Sequence, residues 1–168
     1  MLISMKRHLL DSLDEQALPW VCIEPVIQQI RGKNFTLKSQ VYKDLTAGQR
    51  ALLMFQVLYG HSRNGIIEFF QHTSYFLSEQ GVWDQFKDGM RYFGEDAMLQ
   101  LIAEMEEIHQ GLEARGKHEA IEDIGNDPEL FAAIGRIDGK LQEILPETLK
   151  RIGSYIRDNP VEFVQIEE

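Results

Sequence analysis

Five histidines, one cysteine and a dense run of carboxylates are the side chains in this 168-residue sequence with the types to do chemistry. Glu106-x-x-His109 is the pair that di-iron helical bundles use twice, together with two further inward-pointing glutamates, but it occurs here once. His118-Glu119-x-x-Glu122 has the outline of a zinc-protease helix. There, two histidines one turn apart hold the metal while the intervening glutamate acts as base, and Glu122 stands where the second histidine is needed. Gly111 to Lys117 has the outline of a phosphate-binding loop. That loop needs a buried strand before it and Ser or Thr after the lysine for magnesium; an acidic helical segment precedes it and His118 follows, with Glu113 and Glu119 set to repel phosphate. Cys22 lies among Trp20, Val21 and Ile23 and reads as a small buried hydrophobe, with nothing to activate its thiol. His61 and His72 flank an aromatic cluster with no nucleophile beside them, as structural histidines do. Asn34-Phe35-Thr36 fits a glycosylation acceptor, which has no meaning without secretion. These patterns predict a non-enzymatic protein with no metal and no cofactor. The enzymatic alternative is a helical metal-dependent enzyme using Glu106, His109, His118 and Glu122.

The carboxylates form a pattern of their own. The chain carries 17 Lys+Arg against 27 Asp+Glu, a net charge of -10. Residues 1–60 hold seven basic and five acidic side chains, whereas residues 61–168 hold ten and 22. Within 95–129 stand Glu95, Asp96, Glu104, Glu106, Glu107, Glu113, Glu119, Glu122, Asp123, Asp127 and Glu129, opposed only by Arg115 and Lys117, a net of -9. Such a balance excludes a broad positive surface for nucleic acid or anionic membrane. Crowded like charges cost only a few tenths of a kcal/mol per pair, about 0.2–0.5, so a merely solvated face accounts for them without any purpose. The functional reading is a negative surface that attracts a basic partner. One helix with an acid per turn offers a charge about every 5–6 Å, against about one per 1.7 Å on duplex DNA, so imitation of DNA requires neighbouring helices or a second subunit. The expectation is one continuous patch that also takes in Glu79, Asp84 and Asp88.

The elements that must position these groups are helical. Leu2, Met5, Leu9 and Leu13 predict a short amphipathic helix within residues 1–15, and a second helix spans Pro19 to Ile30 with Pro25 near its first turns. Gly32-Lys33-Asn34 stops it, and Val41, Tyr42 and Leu45 mark a short helix leading to Thr46. Thr46-Ala47-Gly48-Gln49 is a capping box before an almost wholly apolar run to Tyr59, which predicts a buried central helix near residues 46–59. After Asn64-Gly65 come stripes at Ile66–Leu77, Trp83–Phe93 and Met98–Leu112, with Glu104 and Glu107 opposite the apolar face of the last and Glu106 and His109 toward its polar side. Gly111 to Asn126 is expected to be a loop or loose helix. Asp127-Pro128-Glu129 starts a helix, Pro146 starts the next, and Asn159-Pro160 stops it. Residues 160–168 fit a last turn or a short strand equally. Gly135 and Gly139, four apart, predict tight packing within the chain, a crossing with a second subunit being the alternative. The expected architecture is one all-α domain of eight to ten helices, without repeats, linkers, a signal peptide or a membrane span, and cytoplasmic.

Leu45-Thr46-Ala47-Gly48-Gln49-Arg50 before an apolar helix, then Asn64-Gly65-Ile66-Ile67-Glu68-Phe69-Phe70-Gln71-His72, then Phe93-Gly94, resembles the bacterial DNA-mimic protein C-terminal-domain family. Gly65, Phe69 and Phe70 match the core of that family's central motif. Asn64, Ile66, Glu68 and His72 depart from its glycine, phenylalanine, glutamine and asparagine. The tail from Leu145 to Phe163, with Tyr155-Ile156, has the same look, and the resemblance covers about residues 41–163, leaving 1–40 as N-terminal helices. It implies an all-helical, acidic, dimeric bacterial protein without catalysis, one that occupies a DNA-binding protein by presenting carboxylates where phosphates would lie. It supplies no residue-level site.

The expected function is therefore that of an acidic interaction protein binding a basic protein, DNA-binding in the mimic reading. Glu95, Asp96, Glu104, Glu106, Glu107, Glu113, Glu119, Glu122 and Asp123 are its partner-binding residues, with no direct contact to nucleic acid or membrane and homodimerisation as an option. The competing binding role is an immunity-type protein that neutralises a toxin.

Overall fold

The computed structural model describes residues 2–116 and 123–167, and these form an all-α fold with one small sheet. In chain order they are β1 (Ile3–Lys6), α1 (Arg7–Ser12), α2 (Ala17–Ile30), α3 (Phe35–Lys43), α4 (Ala47–His61), α5 (Ile66–Leu77), α6 (Val82–Phe93), α7 (Asp96–Arg115), α8 (Pro128–Asp158) and β2 (Val164–Glu167). Short 3-10 turns at Asp123–Asn126 and Pro160–Glu162 precede α8 and β2. Among the described residues no helix is long and apolar enough to cross a membrane.

Helix α4 is the centre. Leu52, Phe55 and Leu58 are fully buried, and the helix packs most extensively on α6 and then on α2. Gly89 of α6 permits the α4–α6 approach, since a Cβ there would meet the Ala51 carbonyl oxygen at 3.2 Å. The capping box has both arms: the Gln49 N–H donates to Thr46 Oγ1 at 3.0 Å, and the Thr46 N–H donates to Gln49 Oε1 at 3.2 Å. The Thr46 hydroxyl also donates to the Glu162 carbonyl, tying the start of α4 to the C-terminal turn. Thr46→Ala loses a cap and that tie together, and is expected to destabilise the protein by about 1–2 kcal/mol in urea unfolding.

Residues 1–15 do not form one helix. Ile3–Lys6 is extended and pairs in parallel with β2, Ile3 opposite Val164 and Lys6 opposite Glu167. The three- and four-residue spacing of Leu2, Met5 and Leu9 fits a helix, but Ile3 and Met5 also alternate, and so short a run is ambiguous. The strand buries Met5, and α1 then buries Leu10 and leaves Leu9 exposed. The C-terminal segment resolves into both options in turn, a 3-10 turn and then a strand.

Pro25 lies in the third turn of α2, which begins at Ala17, not near its first turns. Pro146 starts no helix: α8 runs through it without interruption. A proline removes the bond to the carbonyl four residues back, here Gln142. Gln142 and Pro146 are both on the exposed side of the helix, where the loss of that bond is cheapest, while Leu141, Leu145, Leu149 and Ile152 keep one buried stripe through the site. Gly135 and Gly139 do not pack tightly within the chain, because both are exposed and a Cβ at either would meet open space. Helix α7 extends to Arg115, so Gly111 is helical and only Gly116, at φ +99°, breaks out of it.

Candidate acidic interaction surface

Helix α7 carries the acidic run, and its sequence decides how the carboxylates face. Met98, Leu101, Ile102, Met105 and Leu112 hold one side in the core. At 100° per residue the opposite side belongs to Asp96, Glu104 and Glu107, all exposed. Asp96 and Glu107 are eleven residues apart, which places them about 20° from one another around the axis and about 16 Å apart along it. The two flanks are clamped. On one, Lys140 of α8 reaches Glu104 at 3.1 Å. On the other, Lys87 of α6 bridges Asp84 and Glu106, at 3.0 Å to each. Its ammonium is held above its usual pKa by the hydrogen bond to Asp84 and then by that to Glu106.

Along that second flank the α5–α6 turn, α6 and α7 enclose a depression of about 210 Å³ lined by Glu79, Asp84, Glu106 and Glu113. These four carboxylates come from three segments of chain, and Ser78 adds a hydroxyl that donates to Glu113. The structure thus gathers two of the expected partner-binding residues, Glu106 and Glu113, with two of the anticipated neighbours. Asp88 pairs instead with Arg91 at 2.6 Å. Asp127 caps α8 by accepting from the Leu130 N–H. That bond, followed by Arg115 at 2.8 Å, holds its carboxyl below the usual range.

Glu95 is overturned as a surface residue. Its side chain is 0% exposed, gripped by Arg151 through both carboxylate oxygens, at 2.6 and 2.8 Å, and by the Thr148 hydroxyl at 2.8 Å. It joins the head of α7 to α8 and cannot meet a partner. His109 is likewise not on the polar side of its helix: it is buried with its ring against those of Phe70 and Trp83, at 5.7 and 5.6 Å, and near Glu113 at 3.9 Å. The helix positions 101, 105 and 109 share one face, which is the signal that places it inside. Lys87 escaped notice in the sequence, although its place three residues after Asp84 on a helical face is the spacing of an ion pair.

The other chemical candidates take structural places. Cys22 is buried, and burial pushes its thiol up to about 12. Asn34 caps α3 through the Leu37 N–H. His61 and His72 face each other at 5.8 Å, with Glu68 at 3.4 Å from His72. Among the described residues no three His, Cys, Asp or Glu side chains converge as a metal site would need. Lys117, His118, Glu119 and Glu122 lie outside the described residues, as does the side chain of Asp123.

Comparison with known proteins returned one relationship. Nothing among curated proteins matches the chain, and nothing among solved structures does. The family described as DMP19-like protein matches residues 43–159, from the end of α3 to the end of α8 and so across the capping box, the whole of α7 and the Gly65-Phe69-Phe70 motif. Over that span, well beyond half of its length, the chain belongs to the DMP19-like protein family, the DNA-mimic family that its central motif resembles.

Proposed function

We propose that this protein is a non-catalytic mimic of DNA charge that occupies a basic, DNA-binding protein. Membership of the DNA-mimic family supports this reading, and one structural observation carries it: the acids of the α5–α6 turn, α6 and α7 meet around one depression beside the exposed face of α7. Three exposed carboxylates spread over about 16 Å of one helix, one of them paired with Lys140, are far too sparse to imitate a duplex, which carries about one charge per 1.7 Å. Adding Glu79, Asp84, Glu106 and Glu113 from adjoining elements raises the density where a single helix cannot. Lys87 offsets part of that charge while fixing the carboxylates of Asp84 and Glu106 in place. The binding surface in this reading is Asp96, Glu104, Glu106, Glu107 and Glu113, continued by Glu119, Glu122 and Asp123. Glu95 has no part in it.

The test is capture of partners from the cell extract at low and high salt, with duplex DNA as competitor. The expected result is a DNA-binding protein recovered at low salt, displaced by duplex DNA and lost as salt rises, because exposed charge pairs are screened within about 8 Å at physiological ionic strength. Replacing Asp96, Glu106, Glu107 and Glu113 by their amides together should weaken capture by about tenfold or more while leaving the fold intact. Capture that survives both duplex DNA and high salt sinks the mimic reading, and a captured toxin puts the immunity role in its place.

A further inference from the structure

A second cavity shares no lining residue with the depression on α7. It has a volume of about 470 Å³ and is lined by residues of α2, α3, α4, α5 and α6. That size is within the ~300–1,000 Å³ of ordinary small-molecule sites. Its walls are apolar, with Ile27, Leu53, Val57 and Phe76 among them. In a chain with 27 acidic residues, its lining holds no aspartate or glutamate, yet it includes Arg31 and Lys38. Neither of these cations is paired with a carboxylate among the described residues.

Gln56 on α4 lines the cavity at 6% exposure, and its side-chain NH₂ donates to no atom of the described residues. A buried amide donor without a partner costs about 1–3 kcal/mol, a cost that a bound acceptor removes. Lys38 reaches from α3 to the Tyr75 hydroxyl on α5, with its ammonium 4.5 Å from the centre of that ring. A neutral phenol is the weaker kind of acceptor for an ammonium, and a carboxylate is the stronger. His61 also stands in the lining. Burial first, then His72 and Lys38, hold its pKa below the usual value against the opposing pull of Glu68.

We infer that this cavity binds a small organic anion: an apolar body bearing one carboxylate, the head held by Arg31 and Lys38 and the body laid against α4, α5 and α6. Both cations precede residue 43, where the family match begins, while Leu53, Gln56, Val57 and Phe76 lie within it, so the site joins the N-terminal helices to the matched span. It is independent of the acidic surface.

Calorimetric titration of the full chain with decanoate, and with decanol as its uncharged twin, tests the assignment. Decanoate is expected to bind at least about tenfold more tightly than decanol, since hydrogen bonds to charged groups are worth more than neutral ones. The double variant Arg31→Met, Lys38→Met keeps the apolar stems. It should erase the preference for decanoate and leave decanol binding unchanged. Gln56→Leu should weaken decanoate binding by a smaller factor, and Val57→Trp, which fills the space, should abolish both. Equal binding of the two probes, or a preference that survives in the double variant, overturns the proposal. Arg31 is exposed and Lys38 half-buried, so that readout stands even if Val57→Trp does not fold.

Discussion

Arg151→Met is expected to cost about 3–5 kcal/mol of folding stability, a fall of roughly 10 °C in Tm for a chain of this size. The asymmetry of the pair drives the effect. Arg151 is half in water, with 53% of its side chain exposed, whereas Glu95 is fully enclosed. Removing the arginine leaves a buried carboxylate with the Thr148 hydroxyl alone, and an uncompensated charge in the interior is far costlier than a lost surface pair. Glu95→Gln should cost less, about 1–3 kcal/mol, because Arg151 can turn to solvent and the amide oxygen still accepts from Thr148. Replacing the whole cluster, with Glu95→Leu, Thr148→Val and Arg151→Met together, should recover most of the loss, since no polar group is then left buried without a partner. Urea unfolding of the three variants checks the order. A cost for Arg151→Met below about 0.5 kcal/mol, the range of an ordinary surface change, would mean that Glu95 reaches water after all and would return it to the acidic surface.

What could be read from the residues followed the strength of the local signals. The capping box at Thr46, the apolar run behind it and the Asp127-Pro128-Glu129 start are short-range devices, and the helices stand where those devices put them. Pro146 misled because a proline's effect depends on which side of the helix loses its bond, and in α8 that is the exposed side. β1 was hidden because four residues facing a strand more than 150 positions away carry no local signature beyond a weak alternation. The acidic surface was legible only in part, for the same reason. Spacing along α7 separates Glu107 from Met105, but whether a carboxylate on a flank is free, paired or buried depends on its neighbour helix. Lys87 on α6, Lys140 and Arg151 on α8 decided the positions of Glu106, Glu104 and Glu95 respectively, and no pattern within 95–129 contains those cations. The cavity behind Lys38 was not legible at all, since it is made by the approach of five helices and by the acids missing from its walls.

The motif that ties the chain to its family has a structural role that separates fold from partner binding, and Phe69→Ala tests that separation. Gly65 sits at φ +112°, and a Cβ there would lie 3.3 Å from the Asp138 carboxylate. That carboxylate accepts from the Ile66 N–H at 2.8 Å, so the α4–α5 turn is fastened to α8. Phe69 follows one turn later and is fully buried, its ring against those of Phe70, Trp83 and Phe86 at 5.9, 6.4 and 5.9 Å. Truncation to alanine leaves a cavity that such a close-packed cluster cannot close, at an expected cost of about 3–5 kcal/mol. The same side chain has no path to a partner. In a temperature range where the variant is still folded, its salt-sensitive capture of a DNA-binding protein should match that of the parent, while the amide variants of α7 should show the opposite profile, intact melting and lost capture. Circular dichroism melts and the low-salt capture assay, run side by side on both, give the comparison. If folded Phe69→Ala protein lost capture and the α7 amide variants kept it, binding would belong to the motif's own helix and the carboxylates of α7 would be no more than a solvated face.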